Sequence, residues 1–322
     1  MNSQSTRHLV APELLPGLEF FPSIDFSQGI EAVRTGGLSA GRDMPPIPEP
    51  LLAVDCQERF VPGFAGNPDV RVLCYTPPGE APAPRGAVLH IHGGGYVIGT
   101  ADMNDISNRA MSLALGIVVV SVDYRLAPEC VWPGALNDCY AALVWLHDNA
   151  GELGVDPARI AIAGESAGGG HAAALAIHAR DNGGPAICLQ LLDAPMLDDR
   201  TGTTSDPHPH TGEFVWTPDK NRFGWGALLG VEPGGPAVRD EMVPARTADL
   251  SGLPPTFISV GSLDLFLEED MEFTRRLTRS GVPAELHVIP GAYHGFGVAG
   301  MSPQLAQLTE LRHNALKCAL GL

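Results

Sequence analysis

The stretch 160–177 constrains the fold more than any other part of this chain. A short apolar run, residues 160–163, stops at Gly164, and an alanine-rich run begins soon after Ser166. This order predicts a strand, a sharp turn and a helix, with Ser166 at the turn. Glycines at positions 164 and 168 would let neighbouring backbone approach closely, because a larger side chain would collide there.

Ser166 is therefore the predicted nucleophile. Amide groups and the dipole at the start of a helix favour negative charge that develops on a nearby oxygen. The stretch Gly37–Gly41 spells the same pattern around Ser39, but no strand precedes it, and Pro45 and Pro46 follow. Because the motif counts only between a strand and a helix, we interpret Ser39 as part of a loop.

Alternation of apolar and helical stretches predicts an α/β fold. Two strand-like runs, 51–60 and 70–75, flank a proline and glycine turn and indicate an antiparallel start. Nearly continuous apolar runs then alternate with helical stretches, which indicates a mostly parallel sheet covered on both faces. The six apolar runs are 87–91, 117–122, 160–163, 187–192, 256–260 and 286–289. The helical stretches are near 104–115, 135–149, 167–181, 268–280 and 303–320. The sequence thus predicts an eight-stranded sheet flanked by helices.

One long interruption predicts a cap. About sixty residues separate the apolar runs that end at 192 and begin at 256, and a loop of that length is usually functional or has its own elements. The N-terminal residues cannot form a core alone, so we expect them to cover the same edge of the sheet. The predicted division is 1–45 for the N-terminal part of the cap, 46–194 and 251–322 for the catalytic domain, and 195–250 for the cap insertion.

Charge and cysteine usage argue against several classes of protein. A net charge of -17 disfavours binding to nucleic acid or to an anionic membrane by general electrostatics. The six cysteines form no C-x-x-C pair, and His208 and His210 in a proline-rich loop are weak evidence for a metal, so none is expected. The N-terminus lacks the apolar core of a secretion signal, and no apolar run is long enough to span a bilayer. We therefore expect a cytoplasmic protein without stable membrane insertion.

The candidate base is His294. A serine hydroxyl is a poor nucleophile until a base removes its proton. Where this serine turn is used, the acid and then the histidine follow it, each in a loop after a strand. His294 lies near glycines just beyond the run 286–289, whereas His287 falls inside that run and His171 lies one turn into the helix after Ser166. We interpret His287 and His171 as non-catalytic.

The candidate acid is Asp264, which lies just past a predicted strand. One helix and one strand separate it from His294, so both side chains should emerge at neighbouring strand ends. Three rival acids, Glu268, Glu269 and Asp270, fall in the first turn of the next helix, where negative charge complements the helix dipole. We favour Asp264 because the acid loop follows a strand in this arrangement.

Three consecutive glycines form the third candidate feature. The run Gly93–Gly95 follows a buried strand and would leave backbone N–H groups free to point at a ligand. Together with the amide of Ala167, this loop would form an oxyanion hole. A flexible turn is the simpler alternative, whereas a phosphate loop would need a Gly-Lys-Ser/Thr end or a G-x-G-x-x-G helix start, and neither is present. His92 is predicted to steady the loop.

These motifs occur together in one known family. The segments His92–Gly95, Asp123–Glu129 and Gly164–Gly169 resemble the hormone-sensitive-lipase family of α/β-hydrolases, the bacterial family IV esterases, and the match is in register from about residue 50 to the C-terminus. The resemblance implies an α/β-hydrolase fold with a helical cap, formed by the N-terminal segment and the insertion after the sixth strand. It also implies hydrolysis of short- to medium-chain acyl esters without a cofactor, often by a homodimer.

The resemblance also maps single residues. The oxyanion donors match Gly94, Gly95 and Ala167 best, with Gly93 as a less favoured donor. The residue before the serine departs from the family pattern, because Glu165 stands where many relatives have aspartate.

A charged segment follows the strand next to the glycine loop. Asp123, Arg125 and Glu129 are predicted to support the loop through ion pairs and hydrogen bonds rather than to act in chemistry. A second departure from the family is Leu265, which stands where relatives often have proline after the acid. Neither departure removes a predicted catalytic group.

Together these residues predict a serine carboxylesterase for small-molecule esters. Ser166 would attack, His294 would carry the proton, and Asp264 would orient the imidazole. Phe214 and Trp216 are candidate apolar lining of the substrate site, although such aromatic residues could equally form the core of the cap. Two alternatives remain. One is a non-catalytic small-molecule receptor on this fold, against which the presence of His294 argues, and the other is an amide or lactone hydrolase with the same machinery.

Overall fold

A mixed eight-stranded sheet forms the core of the structure, a computed structural model that describes residues 5–19, 21, 25–36, 46–81 and 83–322. The strands are β1 (Asp55–Val61), β2 (Val70–Thr76), β3 (Arg85–Ile91), β4 (Val118–Asp123), β5 (Val155–Glu165), β6 (Leu189–Asp193), β7 (Thr256–Gly261) and β8 (Ala284–Ile289). Their order across the sheet is β1-β2-β4-β3-β5-β6-β7-β8. β2 pairs antiparallel with β1 and with β4, and the other neighbours pair parallel. The predicted fold class is confirmed.

Helices cover both faces of this sheet. Among the described residues they are α1 (Ile30–Gly36), α2 (Asp105–Leu115), α3 (Gly134–Asp148), α4 (Ala167–Asp181), α5 (Pro218–Leu229), α6 (Leu267–Arg279) and α7 (Pro303–Leu320). Buried residues of α3, α4 and α6 pack on one face, and those of α2 and α7 pack on the other. Successive side chains of β4 point to opposite faces of the sheet. Val118 and Val120 pack in the apolar cluster with α3, α4 and α6, and Val119 packs in the cluster with α2 and α7.

Two strands differ from their predicted bounds. The sequence predicts a strand over 51–60, but Glu49–Ala53 form a 3₁₀ turn and β1 begins only at Asp55. β5 begins at Val155, well before its apolar run, because the backbone of Val155 pairs with that of Arg85. The hydrogen bonds between paired strands join backbone groups only. The side chains of residues 156–159 therefore do not indicate a strand in the sequence, although the backbone there belongs to β5.

A third apolar cluster lies over the carboxyl ends of the central strands. Val33 of α1 and Trp225 of α5 belong to it, together with Tyr96 and Phe266, which follow β3 and β7. The N-terminal segment and the long insertion between β6 and β7 therefore contribute to the same packing. This is the edge of the sheet at which parallel strands usually present a functional site.

Arg34 ties α1 to the loops beneath it. Its Nε donates to the carbonyl of Val97 at 2.8 Å, and its Nη2 donates to the carbonyl of Ala127 at 2.8 Å. The same guanidinium pairs with the carboxylate of Glu129 at 2.9 Å. One side chain of the N-terminal segment thus holds the loops that follow β3 and β4.

Two predictions about chain organisation stay predictions. Residues 37–45, which include Ser39, lie outside the described residues, so the interpretation of Ser39 stays a prediction. The division of the chain at 45, 194 and 250 also stays a prediction. In the part of the chain that the structure describes, no helix is both long and apolar enough to cross a lipid bilayer.

Candidate active site

Ser166 lies on a strained turn between β5 and α4. Its φ of 56° and ψ of -122° fall in a region that residues other than glycine rarely adopt. A Cβ at Gly164 would lie 2.4 Å from the backbone of Gly168, and a Cβ at Gly168 would lie 2.0 Å from the carbonyl oxygen of Ile91. Both positions therefore need glycine. The Ser166 N–H donates to the carbonyl of Asp193 at 2.8 Å, which fixes the turn against β6.

The three side chains predicted to act together lie in hydrogen-bond contact. Nε2 of His294 is 2.9 Å from Oγ of Ser166, and Nδ1 of His294 is 2.9 Å from Oδ2 of Asp264. Asp264 is 1% exposed and also accepts the N–H of Phe266 at 3.0 Å. A carboxylate can only accept, so Nδ1 carries the proton and Nε2 is left to accept from the serine.

The rival acids have other environments. Glu269 is buried, and its Oε1 accepts the N–H of Leu197 at 2.6 Å. Asp270 is fully buried, and among the described residues neither of its carboxyl oxygens has a hydrogen-bond partner. Burial raises the pKa of both groups well above the usual range, because it penalises the charged form. The acid in contact with His294 is Asp264.

The other candidate histidines have different contacts, and the one bonded to Ser166 is His294. His287 remains on β8 and pairs with Glu285 of the same strand. His171 is buried edge-on against Tyr96 and Tyr124, and burial lowers its pKa to about 3. His208 and His210 lie 6.0 Å apart between ring centroids. Within the described ranges, no group of three or more potential metal ligands occurs.

The glycine loop presents amide donors beside Ser166. Gly94 and Gly95 have φ of 125° and 58°, which lie in the region that favours glycine. No described group accepts a hydrogen bond from the N–H of Gly94, Gly95 or Ala167, whereas the N–H of Gly93 donates to Glu165 at 3.2 Å. The amides of Gly94, Gly95 and Ala167 thus have no protein acceptor among the described residues, and their role as oxyanion donors stays a prediction.

His92 lies under this loop. Its Nδ1 is 2.7 Å from the carbonyl of Gly93, and its ring stacks on Tyr124 with centroids 4.2 Å apart. Burial lowers the pKa of His92, so the ring is neutral and its Nδ1–H donates to the carbonyl. These contacts hold the loop from below.

The charged segment after β4 forms ion pairs. Arg125 makes a bidentate contact with the buried carboxylate of Asp138, at 2.7 Å between Nη2 and Oδ1. Asp123 accepts the N–H of Ala101 at 3.0 Å, and Glu129 pairs with Arg34. None of these groups contacts Ser166 or His294 in the described structure.

The two candidate lining residues have different positions. Trp216 is 4% exposed, its Nε1 donates to Oδ1 of Asn221 at 3.0 Å, and its ring centroid is 6.3 Å from that of His294. A Cβ at Gly95 would lie 2.1 Å from the edge of the indole. Trp216 therefore covers the glycine loop. Phe214 packs instead against Tyr293, with centroids 6.1 Å apart.

Sequence reasoning missed a network around Glu165. Its Oε1 accepts from the Gly93 amide and from Nδ2 of Asn104 at 2.8 Å, and its Oε2 lies 3.0 Å from Nε2 of His90. Burial alone would raise the pKa of Glu165, but His90 and the Gly93 amide outweigh it and hold the pKa at about 2. The one sequence signal was the departure from aspartate at this position.

A second missed contact joins α7 to the end of β6. Asp193 pairs with Arg312 at 2.8 Å and accepts from the hydroxyl of Ser259. Burial raises the pKa of Asp193 even though Arg312 opposes the shift. Its backbone carbonyl is the acceptor for the Ser166 N–H. Nothing in the local sequence could reveal this pair, because its two residues are distant along the chain.

Comparison with known proteins identifies the family. The family model described as "alpha/beta hydrolase fold" matches residues 88–298. Carboxylesterase NlhH of Mycobacterium tuberculosis (strain ATCC 25618 / H37Rv) is 37% identical, with 97% of this chain and 96% of the relative covered. Esterase LipI of the same strain is 34% identical, with 99% and 98% covered. The chain therefore belongs to the α/β-hydrolase family.

The solved structures agree with the sequence relatives. A structure titled "Bacterial Heroin Esterase" superposes with a TM-score of 0.90 at 36% identity, covering 98% of this chain and 99% of that one. The crystal structure of esterase LipW from Mycobacterium marinum gives a TM-score of 0.82 at 33% identity, with 97% and 96% covered. The predicted resemblance to hormone-sensitive-lipase-like esterases is confirmed, and the chain belongs to an enzyme family whose named relatives are carboxylesterases and esterases.

The contact between Gly95 and Trp216 can be tested by stability. Gly95→Ala should lower the free energy of unfolding by about 1–3 kcal/mol, because the new methyl group overlaps the indole and alanine is strained at a φ of 58°. Urea denaturation measures the change. In Gly95→Ala/Trp216→Leu the overlap is relieved, so the loss should be smaller than the sum of the two single changes. Additive losses would contradict the contact.

Proposed function

We propose that this protein is a serine carboxylesterase that hydrolyses short- to medium-chain acyl esters. The observation that carries the proposal is the pair of 2.9 Å contacts that joins Ser166, His294 and Asp264 beside three available amides. Named relatives at 34–37% identity over nearly the whole chain are carboxylesterases or esterases, which supports the same chemistry here.

Acylation begins at Oγ of Ser166. As Oγ forms a bond to the ester carbonyl carbon, its proton passes to Nε2 of His294. The C=O π electrons move onto the carbonyl oxygen, and a tetrahedral intermediate results. When that intermediate collapses, the bond to the alcohol oxygen breaks, and His294 returns the proton to the leaving alcohol. The acyl group is then an ester of Ser166.

Deacylation repeats these steps with water. His294 removes a proton from water while the water oxygen bonds to the acyl carbon. Collapse of the second intermediate breaks the bond to Oγ, which recovers the proton from Nε2. The carboxylic acid leaves, and the enzyme returns to its starting state. This sequence uses no cofactor.

Backbone amides would stabilise the charge that develops in both steps. Gly94, Gly95 and Ala167 are the proposed donors to the oxyanion, since their N–H groups have no described protein acceptor. Such donors act in a fixed arrangement, and loss of one typically lowers kcat by about 10²–10³. Gly93 is not among them, because its N–H donates to Glu165.

Asp264 would act through His294. It accepts the Nδ1 proton, so it holds the tautomer in which Nε2 is free to act as base, and it stabilises the imidazolium that forms. Burial strengthens this interaction, because little water screens two groups that are 1% and 7% exposed.

Several finer features belong to this proposal. Residues 1–45 and 195–250 would form the cap over the site, and small-molecule esters would be its substrates. A homodimer and a cytoplasmic location stay predictions. Hydrolysis of amides or lactones would use the same residues, and a panel of esters, lactones and anilides compared by kcat/KM distinguishes these substrate classes.

The nucleophile can be tested directly. Ser166→Ala should abolish the burst of p-nitrophenol from p-nitrophenyl butyrate and lower kcat by at least about 10³-fold, because no acyl-enzyme can form. His294→Ala should do the same. Ser39→Ala is the matched control, since Ser39 has the same flanking pattern, and it should retain wild-type kcat/KM. A large loss in Ser39→Ala, or turnover in Ser166→Ala, would contradict the assignment.

The acid can be tested against its buried neighbour. Asp264→Asn should lower kcat by about 10⁴-fold, because an amide favours the wrong imidazole tautomer. Asp270→Asn is the isosteric control, and it should keep most of the activity, since neither carboxyl oxygen of Asp270 has a hydrogen-bond partner among the described residues and His294 is bonded to Asp264. Steady-state kinetics at pH 7–8 measure both. If Asp270→Asn were the more damaging change, the assignment of Asp264 would be wrong.

The role of Trp216 can be tested with a chain-length series. Trp216→Ala should move the optimum of kcat/KM for p-nitrophenyl esters toward longer acyl chains, because the indole occupies space directly over Gly95. Trp132→Ala is a control at a tryptophan whose ring packs against Arg239 instead. It should leave the order of preference unchanged. An unchanged optimum in Trp216→Ala would remove this residue from the substrate site.

A further inference from the structure

Glu165 joins two parts of the chain whose separation decides whether the proposed oxyanion hole can work. Gly94 and Gly95 lie in the loop after β3, whereas Ser166 lies in the turn after β5 and Ala167 begins α4. Donors to an oxyanion must stand about 2.7–3.1 Å from the position that this oxygen occupies in the transition state. The two parts must therefore be held at a fixed distance.

The carboxylate of Glu165 bridges this gap. Its own backbone belongs to the serine turn, and its Oε1 accepts the N–H of Gly93, next to the proposed donor Gly94. The contact is close, because a Cβ at Gly93 would lie 3.0 Å from the carbonyl oxygen of Glu165. Glu165 thus binds the first amide of the glycine loop and leaves the next ones to a ligand.

Neighbouring groups fix the carboxylate itself. Asn104, at the start of α2, donates to Oε1 at 2.8 Å, and Nε2 of His90 lies 3.0 Å from Oε2. His90 is 4% exposed, and its Nδ1 lies 3.1 Å from the hydroxyl of Ser121. A side chain held by three partners has little freedom to rotate, so its position can set that of the loop.

The charge of Glu165 makes a structural filler an unsatisfactory explanation. A carboxylate close to a developing oxyanion opposes it by like-charge repulsion. An apolar side chain of similar length would avoid that cost, but it would have no oxygen to accept the Gly93 N–H. A carboxylate in this place is favoured when its acceptor oxygen is needed to hold a donor in position.

We propose that Glu165 is a positioning residue that sets the glycine loop at its working distance from Ser166 by accepting the Gly93 N–H. The inference rests on the proposed esterase function. Glu165 contacts no reacting atom in this account. It acts through the loop, and it reserves Gly93 so that Gly94 and Gly95 face the substrate.

Two substitutions separate the acceptor oxygen from the volume of the side chain. Glu165→Gln keeps an oxygen for Gly93 and Asn104 and offers its NH₂ to His90, whose ring can change tautomer because Ser121 can accept. Glu165→Met keeps a similar length and has no comparable acceptor. Glu272→Met is the matched control, since Glu272 is exposed on α6 and pairs with Arg275.

The expected result is a loss confined to the transition state. Glu165→Met should lower kcat for p-nitrophenyl butyrate by about 10²-fold, comparable to loss of one donor, with KM changed less than about threefold. The Ki of a trifluoromethyl ketone, which adds to the serine and forms an oxyanion, should weaken by the same factor. Glu165→Gln should stay within about tenfold of wild type in both, and Glu272→Met should match wild type.

Different failures have different readings. If the wild-type protein releases no p-nitrophenol in a Ser166-dependent reaction, the proposed function fails. If the wild type is active and Glu165→Met equals it in kcat and Ki, only the role of Glu165 is overturned. The role is also overturned if the loss of kcat in Glu165→Met equals the fraction of protein that circular dichroism shows to be unfolded, while Ki per folded molecule is unchanged. It is overturned as well if Glu165→Gln loses as much kcat as Glu165→Met.

Discussion

The close approach of Gly168 to the end of β3 is the constraint on which the site depends. Because Gly168 has no side chain, the first turn of α4 can lie against the carbonyl groups of Ile91 and His92. A Cβ at Gly168 would lie only 2.0 and 2.5 Å from these two carbonyl oxygens. Helix start and glycine loop then face each other across a few ångströms. Ser166 and the free amides are neighbours because this contact is possible, and the strained φ of Ser166 is held by the same packing.

Burial of polar groups around this contact follows a consistent pattern. Asp264, His294 and Glu165 each have hydrogen-bond partners that offset the cost of removing them from water. Asp270 lacks such partners among the described residues, and burial raises its pKa well above the usual range. The carboxyl groups with hydrogen-bond partners here are those of Glu165 and Asp264, which contact the glycine loop and His294.

The sequence was sufficient for the parts of the site that local patterns encode. Glycine spacing, strand runs and the order of serine, acid and histidine predicted Ser166, Asp264 and His294, which the structure brings into contact. The sequence was insufficient where backbone pairing sets the bounds of a strand, or where a contact joins side chains that are distant along the chain. The early part of β5 has polar residues, and the pair of Asp193 with Arg312 joins elements with no shared motif. Such contacts depend on tertiary packing, which periodicity does not record.

The fit of Trp216 against Gly95 couples the long insertion between β6 and β7 to the glycine loop. A bulkier residue at position 95 would need a residue smaller than Trp216 above it. In a similar way, the position of Arg34 depends on the carbonyl groups of Val97 and Ala127, to which its guanidinium donates. A chimaera that received the insertion between β6 and β7 from a distant homologue would place an unmatched side chain over Gly95. A change of substrate preference in such enzymes should therefore require paired substitutions, one in the insertion and one in the glycine loop.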